Sequence, residues 1–436
     1  MTTPWYAISN ADAIASPAVL VYPDRIAHNL QRMVQMAGDV RRLRPHVKTH
    51  KLPQVIALKR AAGIHKFKVS TIAEAEMTAS AGGEDVLLAY QPVGPAVQRL
   101  ITLMQQFPGT RFSTLVDDPH NLAAISATAV AAGVVIPLYI DLNVGMNRTG
   151  IAPGDAALDL YRAMFNAPGV LPAGLHAYDG HLHSADRQQL EEEVTRTFAP
   201  VWAMRDQLRA QALPAPNIVA SGTPTFALLA HHDGVEVGAG TTVLWDFGQA
   251  QTCPDFGFLN AAMLLTRVIS KPAPGLLCLD LGHKAVASEM PHPRVQLMGL
   301  EDATAQTHSE EHLVLRSDHA AEGFACAGMD SPSALSASAS IFVPEAPWPP
   351  PPALTNAETP RRVPTKPVTP AKSTTSGNGT SKTNTATNAT TAAPRIAVPC
   401  SARLPTRCTA SITTARTADF MPKNSAATVP TLPQVT

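Results

Sequence analysis

Cysteine is sparse in this chain, and neither sign of charge is in excess. Cys253, Cys278, Cys326, Cys400 and Cys408 are scattered with no CxxC pair and no regular spacing. This argues against a disulfide framework and for a reducing compartment. Lys and Arg number 34, as do Asp and Glu, so the formal charge cancels. Electrostatics therefore gives no reason to expect nucleic acid or an anionic membrane as a partner. No uninterrupted apolar run is long enough to span a bilayer. The N-terminal MTTPWYAISNADAIASP has no basic stretch followed by an apolar one, so no secretory signal is expected. The expectation is a soluble cytoplasmic protein.

What is present falls into two grammars. Up to about Ser317, apolar runs alternate with amphipathic stretches. From about Asp318, proline, serine, threonine, asparagine and alanine take over, as in WPPPP (348–352) and the Thr-rich tract behind it. Such a segment has too little apolar area to offset the entropy of ordering it, so residues 318–436 are expected to be a disordered tail. The glycosylation-like patterns at Asn378 and Asn388 are chance matches in that tract. The change is abrupt, as a shifted reading frame near codon 318 would make it.

The first grammar predicts strands at Arg42–Lys48, Lys66–Ser70, Asp85–Tyr90, Arg111–Val116, Ile136–Asn143, Ala173–Tyr178, Asn217–Ser221 and Val235–Gly240. Helical patterns such as LPQVIALKRAAG and DPHNLAAISATAVAAG lie between most of them, commonly closed by Gly or Pro. Alternation implies parallel pairing with right-handed crossovers. Eight units make an α/β fold of the (β/α)8 TIM-like barrel type the expectation, with a doubly wound open sheet as the rival. AAMLLTRVISKP, GLLCLDLGHKAVA, RVQLMGLED and EHLVLRS then follow as strand-like runs without helices, an incomplete small β-domain. PAVLVYP near the N-terminus would add a strand to it. The expected division is an N-terminal segment over 1–17, a barrel over 18–257, a partial β-domain over 258–317 and the tail beyond.

Functional residues of such barrels gather at the C-terminal strand ends, and phosphate is often held after strands seven and eight. Lys48 ends the first strand, where it would point into the barrel mouth. Desolvation there lowers an amine's pKa and frees the neutral nucleophile that attacks a carbonyl. Arg148 follows the fifth strand, and Tyr178, His181 and His183 follow the sixth. His46, His50, His181 and His183 are candidates for proton transfer or metal binding. SGTPT (221–225) and VGAGTT (237–242) are turns of small and hydroxyl residues, the chemistry that wraps a phosphate in backbone N–H groups.

RPHVKTHK, KVSTIAEAE, NVGMNRTG, YDGHLH, SGTPT and LGHKAVASE, in that order, resemble the D-threonine aldolase and D-serine dehydratase family of alanine-racemase-like, fold-type III pyridoxal-phosphate enzymes. The resemblance spans about residues 15 to 316. It implies a barrel plus β-domain, with Lys48 holding pyridoxal 5'-phosphate as a Schiff base and Tyr178 lining the pocket. Arg148 would face the pyridine nitrogen and keep it unprotonated. Ser221, Gly222, Thr223, Gly238 and Gly240 would bind phosphate; by its place after the sixth strand, not by the resemblance, His181 is the histidine expected to serve catalysis. The reaction it implies is cleavage of a D-3-hydroxy amino acid to glycine and an aldehyde. The alternatives are elimination from D-serine and a non-catalytic cofactor-binding protein. The family also uses a divalent metal held by a His-x-Cys or His-x-Asp pair late in the β-domain. No such pair follows His319, so the metal ligands are unknown from the sequence. A homodimer is expected by fold-level analogy.

Overall fold

The computed structural model describes residues 4–213 and 217–318 and the backbone of residues 334–339. The chain opens with a strand, β1 (Ala18–Val21), and a helix, α1 (Pro23–Ala37), which starts on a proline and ends on Gly38 at φ 73°. Proline in the first turn forgoes only an N–H that has no helical partner, and glycine takes the left-handed cap without steric cost. Alternation follows: α2 (Pro53–Ala61), β2 (Lys66–Val69), α3 (Ile72–Ser80), β3 (Asp85–Leu88), α4 (Pro95–Gln106) and β4 (Arg111–Val116). Then come α5 (Pro119–Ala132), β5 (Ile136–Leu142), α6 (Asp155–Asn166), β6 (Val170–Ala177), α7 (Arg187–Ala210), β7 (Asn217–Ala220), α8 (Phe226–Leu229) and β8 (Val235–Val237).

β2 to β8 form one parallel sheet in sequence order, so seven strands rather than eight share the ladder. The expected first strand, Arg42–Lys48, instead touches both edges through isolated bridges, Leu43 with Val237 and His46 with Lys68. The Arg44 N–H donates to the Val237 carbonyl at 2.9 Å, and the Val47 N–H to that of Lys68 at 2.8 Å. Between them Pro45 has no N–H to give, which interrupts the ladder. The segment still closes the curled sheet into a barrel.

Leu87, Leu115, Tyr139 and Val219 fill a layer inside the barrel, while a larger apolar cluster packs the sheet against its helices. At the N-terminal strand ends the interior is ionic. Arg44, 1% exposed, bonds Glu236 and Asp85 at 2.6 Å each, and Lys66 reaches the other Glu236 oxygen at 2.5 Å.

After α9 (Phe247–Thr252) the chain turns to antiparallel strands: β9 (Ala262–Ser270), β10 (Leu276–Leu279), β11 (Val295–Leu297), β12 (Thr304–His308), β13 (Leu313–Arg316) and β14 (Ala334–Ala339). Their order is β11-β14-β9-β10-β13-β12, and β1 also pairs with β9, Leu20 opposite Met263. Ala18–Val21 thus joins this second sheet, as PAVLVYP was expected to, although the expected barrel range began at residue 18. β12 was not expected, because it is an exposed edge of polar residues that carries no apolar alternation. β14 lies inside the expected tail and pairs with β9 and β11. The rest of that expected tail lies outside the described residues. No helix among the described residues is long and apolar enough to cross a membrane.

Candidate active site

A cavity of about 470 Å³ opens at the C-terminal end of the barrel, lined by His46, Lys48, Lys68, Arg148, His176 and Tyr178 among others. Its size is that of a small-molecule pocket.

Lys48 follows the closing segment and is fixed by its neighbours. The Lys48 N–H donates to His46 Nδ1 at 3.1 Å. His46 Nε2 lies 3.1 Å from Ser70 Oγ; with Nδ1 accepting, the ring proton sits on Nε2 and is donated to the hydroxyl. Burial holds His46 well below its ordinary pKa, which keeps that neutral tautomer. Two residues on, His50 Nδ1 accepts the Leu52 N–H at 3.1 Å, and its Nε2 lies 3.0 Å from Lys59 Nζ. Both side chains are fully buried. The neutral His50 ring must donate from Nε2, so Lys59 must accept as a free amine. Burial pushes Lys59 down to about 7, consistent with that assignment. Thr71 caps α3 through the Glu74 N–H, and the Glu74 carboxylate takes the Ser70 N–H at 2.7 Å and lies 3.8 Å from Lys51. The Lys48 amine faces the cavity, while surrounding protein and the Arg148 charge lower its pKa against an opposing pull from Glu74.

Arg148 is carried by a loop that Asn143 ties down. The Asn143 side-chain Oδ1 accepts the Gly145 and Asn147 N–H groups at 3.1 and 3.0 Å. Beyond Arg148, the Gly150 N–H donates to Asp117 at 2.8 Å. The Arg148 guanidinium lies 5.1 Å from the Tyr178 ring centroid, with Lys48 Nζ at 5.9 Å and Lys68 Nζ at 5.4 Å. Three basic side chains thus surround one ring.

Among the lining residues that escaped the sequence reading, two are basic. Lys68, on β2, is 2% exposed, and burial together with the Lys48 charge pushes it down to about 7 against Asp179 and Asp141. His176, on β6, donates from Nδ1 to Asp141 at 2.7 Å, and Asp141 also accepts from Gln91 at 2.7 Å. Burial lowers the His176 pKa despite Asp141, so the ring is neutral with its lone pair on Nε2. That buried Nε2 has no hydrogen-bond partner and belongs to a cavity-lining side chain. The signal was available in part: residues two apart on a strand share a face, which pairs His176 with Tyr178 and Lys68 with Ser70.

The two small-residue turns lie together. Ser221, at a left-handed φ of 79°, accepts the Gly238 N–H at Oγ, 3.2 Å away. The Gly238 N–H also reaches the Ala220 carbonyl at 2.9 Å. Gly222 donates its N–H to Asp179 at 2.5 Å. A Cβ on Gly240 would sit 2.9 Å from His46 Cβ, so glycine there lets the turn after β8 rest on the Lys48 segment. Thr223 is buried beside these glycines in sequence. His181 is not among the lining residues; its Nε2 instead packs where a Gly145 side chain would be, and His183 is exposed. Among the described residues, no three His, Cys, Asp or Glu side chains meet in a way that would hold a metal ion.

Residues 21–244 match the alanine racemase N-terminal domain family, and residues 261–329 match a putative serine dehydratase domain. The chain is 31% identical over 284 residues to a D-threonine aldolase of Arthrobacter sp, covering 64% of this chain and 74% of that protein. It is 32% identical over 236 residues to the D-threo-3-hydroxyaspartate dehydratase of Delftia sp. (strain HT23), covering 53% and 61%. The solved D-threonine aldolase from Filomicrobium marinum superposes with a TM-score of 0.68 at 26% identity, over 76% of this chain and 89% of that one. The family is pyridoxal-phosphate dependent and includes metal-dependent members. With the parallel barrel, the second sheet and a buried-lysine cavity at the strand ends, the chain belongs to the D-threonine aldolase and D-serine dehydratase family of alanine-racemase-like pyridoxal-phosphate lyases.

Proposed function

We propose that this protein cleaves a D-3-hydroxy amino acid of the D-threonine type into glycine and an aldehyde. The observation that carries the reading is one cavity lined by a nucleophilic lysine, an arginine, a tyrosine and an unpartnered neutral histidine. These residues fit pyridoxal 5'-phosphate. Lys48 would hold it covalently, Tyr178 and Arg148 would flank it, and the turns at Ser221–Thr223 and Gly238–Gly240 would take its phosphate. When bound, the cofactor supplies a conjugated ring that accepts the electron pair left by the breaking Cα–Cβ bond.

The chain's own groups supply the rest. The lowered pKa of Lys48 raises its fraction of free amine, the reactive form. His176 is pre-set as a base: Asp141 fixes its Nδ1 proton, and Nε2 keeps its lone pair. It would take the substrate hydroxyl proton as the carbonyl of the leaving aldehyde forms. His181, expected in that role, lies outside the lining, so His176 is the better placed of the two. The described residues do not fit a metal ion, and no step is assigned to one.

The match to a serine dehydratase domain favours a second reading, elimination from D-serine or a related hydroxy amino acid. Purified protein given the cofactor and D-threonine, with and without a divalent metal, separates them. Glycine and acetaldehyde are expected. Pyruvate and ammonia from D-serine, with no cleavage of D-threonine, would favour elimination. A cofactor-bound protein inactive on both substrates would favour a binding role.

A further inference from the structure

We propose that Lys68 is a phosphate-binding residue, its amine placed against Gly238, where a bound phosphate ester would hold it as the ammonium of the anion site. The inference rests on reading the chain as a pyridoxal-phosphate protein, and it concerns how that site recognises the phosphate ester.

Lys68 rises from the middle of β2 into the barrel, is 2% exposed and lines the cavity. No carboxylate among the described residues lies within ion-pair distance of it. Asp141 is committed to His176 and Gln91, and Asp179 takes the Gly222 N–H at Oδ1, while its buried, unpartnered Oδ2 acts on Lys68 only from beyond ion-pair distance. A buried amine with no carboxylate in ion-pair distance takes its full charge only where an anionic ligand completes it.

The position of the amine identifies the ligand. A Cβ on Gly238 would collide with Lys68 Nζ, so the amine fills the space that this glycine leaves open. Gly238 is also where the two turns are stitched together, through Ser221 Oγ and the Ala220 carbonyl. The side chain therefore crosses from β2 to the turn after β8.

Donor accounting supports the same assignment. The Gly222 and Gly238 N–H groups, two expected phosphate donors, are already bonded within the protein. A phosphate ester carries a charge of about −1.5 to −2 near neutral pH. The remaining backbone donors of two short turns supply partial charges only, and a lysine supplies the full one.

Equilibrium binding of pyridoxal 5'-phosphate and of pyridoxal to the full chain tests this, read by absorbance, with folding checked by circular dichroism. Lys68→Met is expected to weaken the phosphate ester about 10- to 100-fold, the range of a charged hydrogen bond. Pyridoxal affinity is expected to change less than about threefold, and Lys68→Arg to restore part of the loss. Gly238→Ala keeps the lysine but displaces its amine, and should reproduce the selective loss if Lys68→Met does not fold. Parallel losses for both compounds, no loss for either, or a loss confined to D-threonine binding would overturn the assignment. Wild-type protein that takes up neither compound overturns the cofactor reading, and this inference with it.

Discussion

The two ends of the barrel interior hold similar side chains in opposite states. At the N-terminal end, Arg44 is buried between Glu236 and Asp85, and Lys66 completes the cluster. At the C-terminal end, Lys48, Lys68 and Arg148 surround Tyr178, with no carboxylate among the described residues in ion-pair distance of them. Charge that is fully paired closes a core. Charge left over at a strand end marks where an anion belongs.

Four experiments would break or sharpen that contrast. The largest effect is expected from Lys48→Ala, which should cut activity by at least about a thousandfold and leave unfolding unchanged. Peptide mapping after borohydride reduction should find the cofactor on Lys48 in the wild type; an adduct on Lys68 or Lys59 would reassign the amine. At the opposite end, Arg44→Leu removes the buried partner that Glu236 and Asp85 share and should cost about 3–5 kcal/mol in denaturant unfolding. A stable Arg44→Leu protein that loses only activity would erase the distinction between the ends.

Asp141→Asn comes third, with activity expected to fall about a hundredfold. Asp141 raises the His176 pKa, so its removal should also move the acid limb of the pH–rate profile to lower pH. An unmoved limb would remove His176 from proton transfer. The smallest effect concerns Lys59. In the unfolded chain it keeps its proton up to about pH 10.4, and in the folded protein it loses it near 7. Between those values the unfolded state binds the extra proton, so stability rises with pH by about 1.4 kcal/mol per unit for this group. Its contribution is complete above the unfolded pKa and is lost as pH falls to 7. Lys59→Met should remove that slope from unfolding measured at pH 7, 8 and 9; an unchanged slope would mean that Lys59 is not the group responsible.

Most of the parallel sheet was legible because hydrophobic runs and helix-closing glycines repeat through it. The exception was the segment ending at Lys48. Its composition reads as a strand, but Pro45 interrupts the ladder, and hydrogen-bond bookkeeping is invisible in an apolar pattern. β12 was missed for the opposite reason: backbone pairing and the His308 ring on the Leu281 carbonyl hold its largely exposed, polar residues in the sheet. In the site, Lys48, Arg148 and Tyr178 were legible from their places after strand ends. His176 and Lys68 were not, because each lies within a strand, where a polar residue becomes informative only once its partners are known.

The pairing of β1 with β9 bears on how the chain is made. Ala18–Val21 emerges from the ribosome early, yet its partner strand begins at Ala262. At about 5–20 residues per second, roughly 12 to 50 seconds of synthesis separate the two. Through that interval the first strand is an open edge, while the segments that build the barrel are added behind it. The earliest strand to be synthesised is therefore among the last to find its place, and the second sheet joins the two ends of the barrel segment only after translation has passed Ser270.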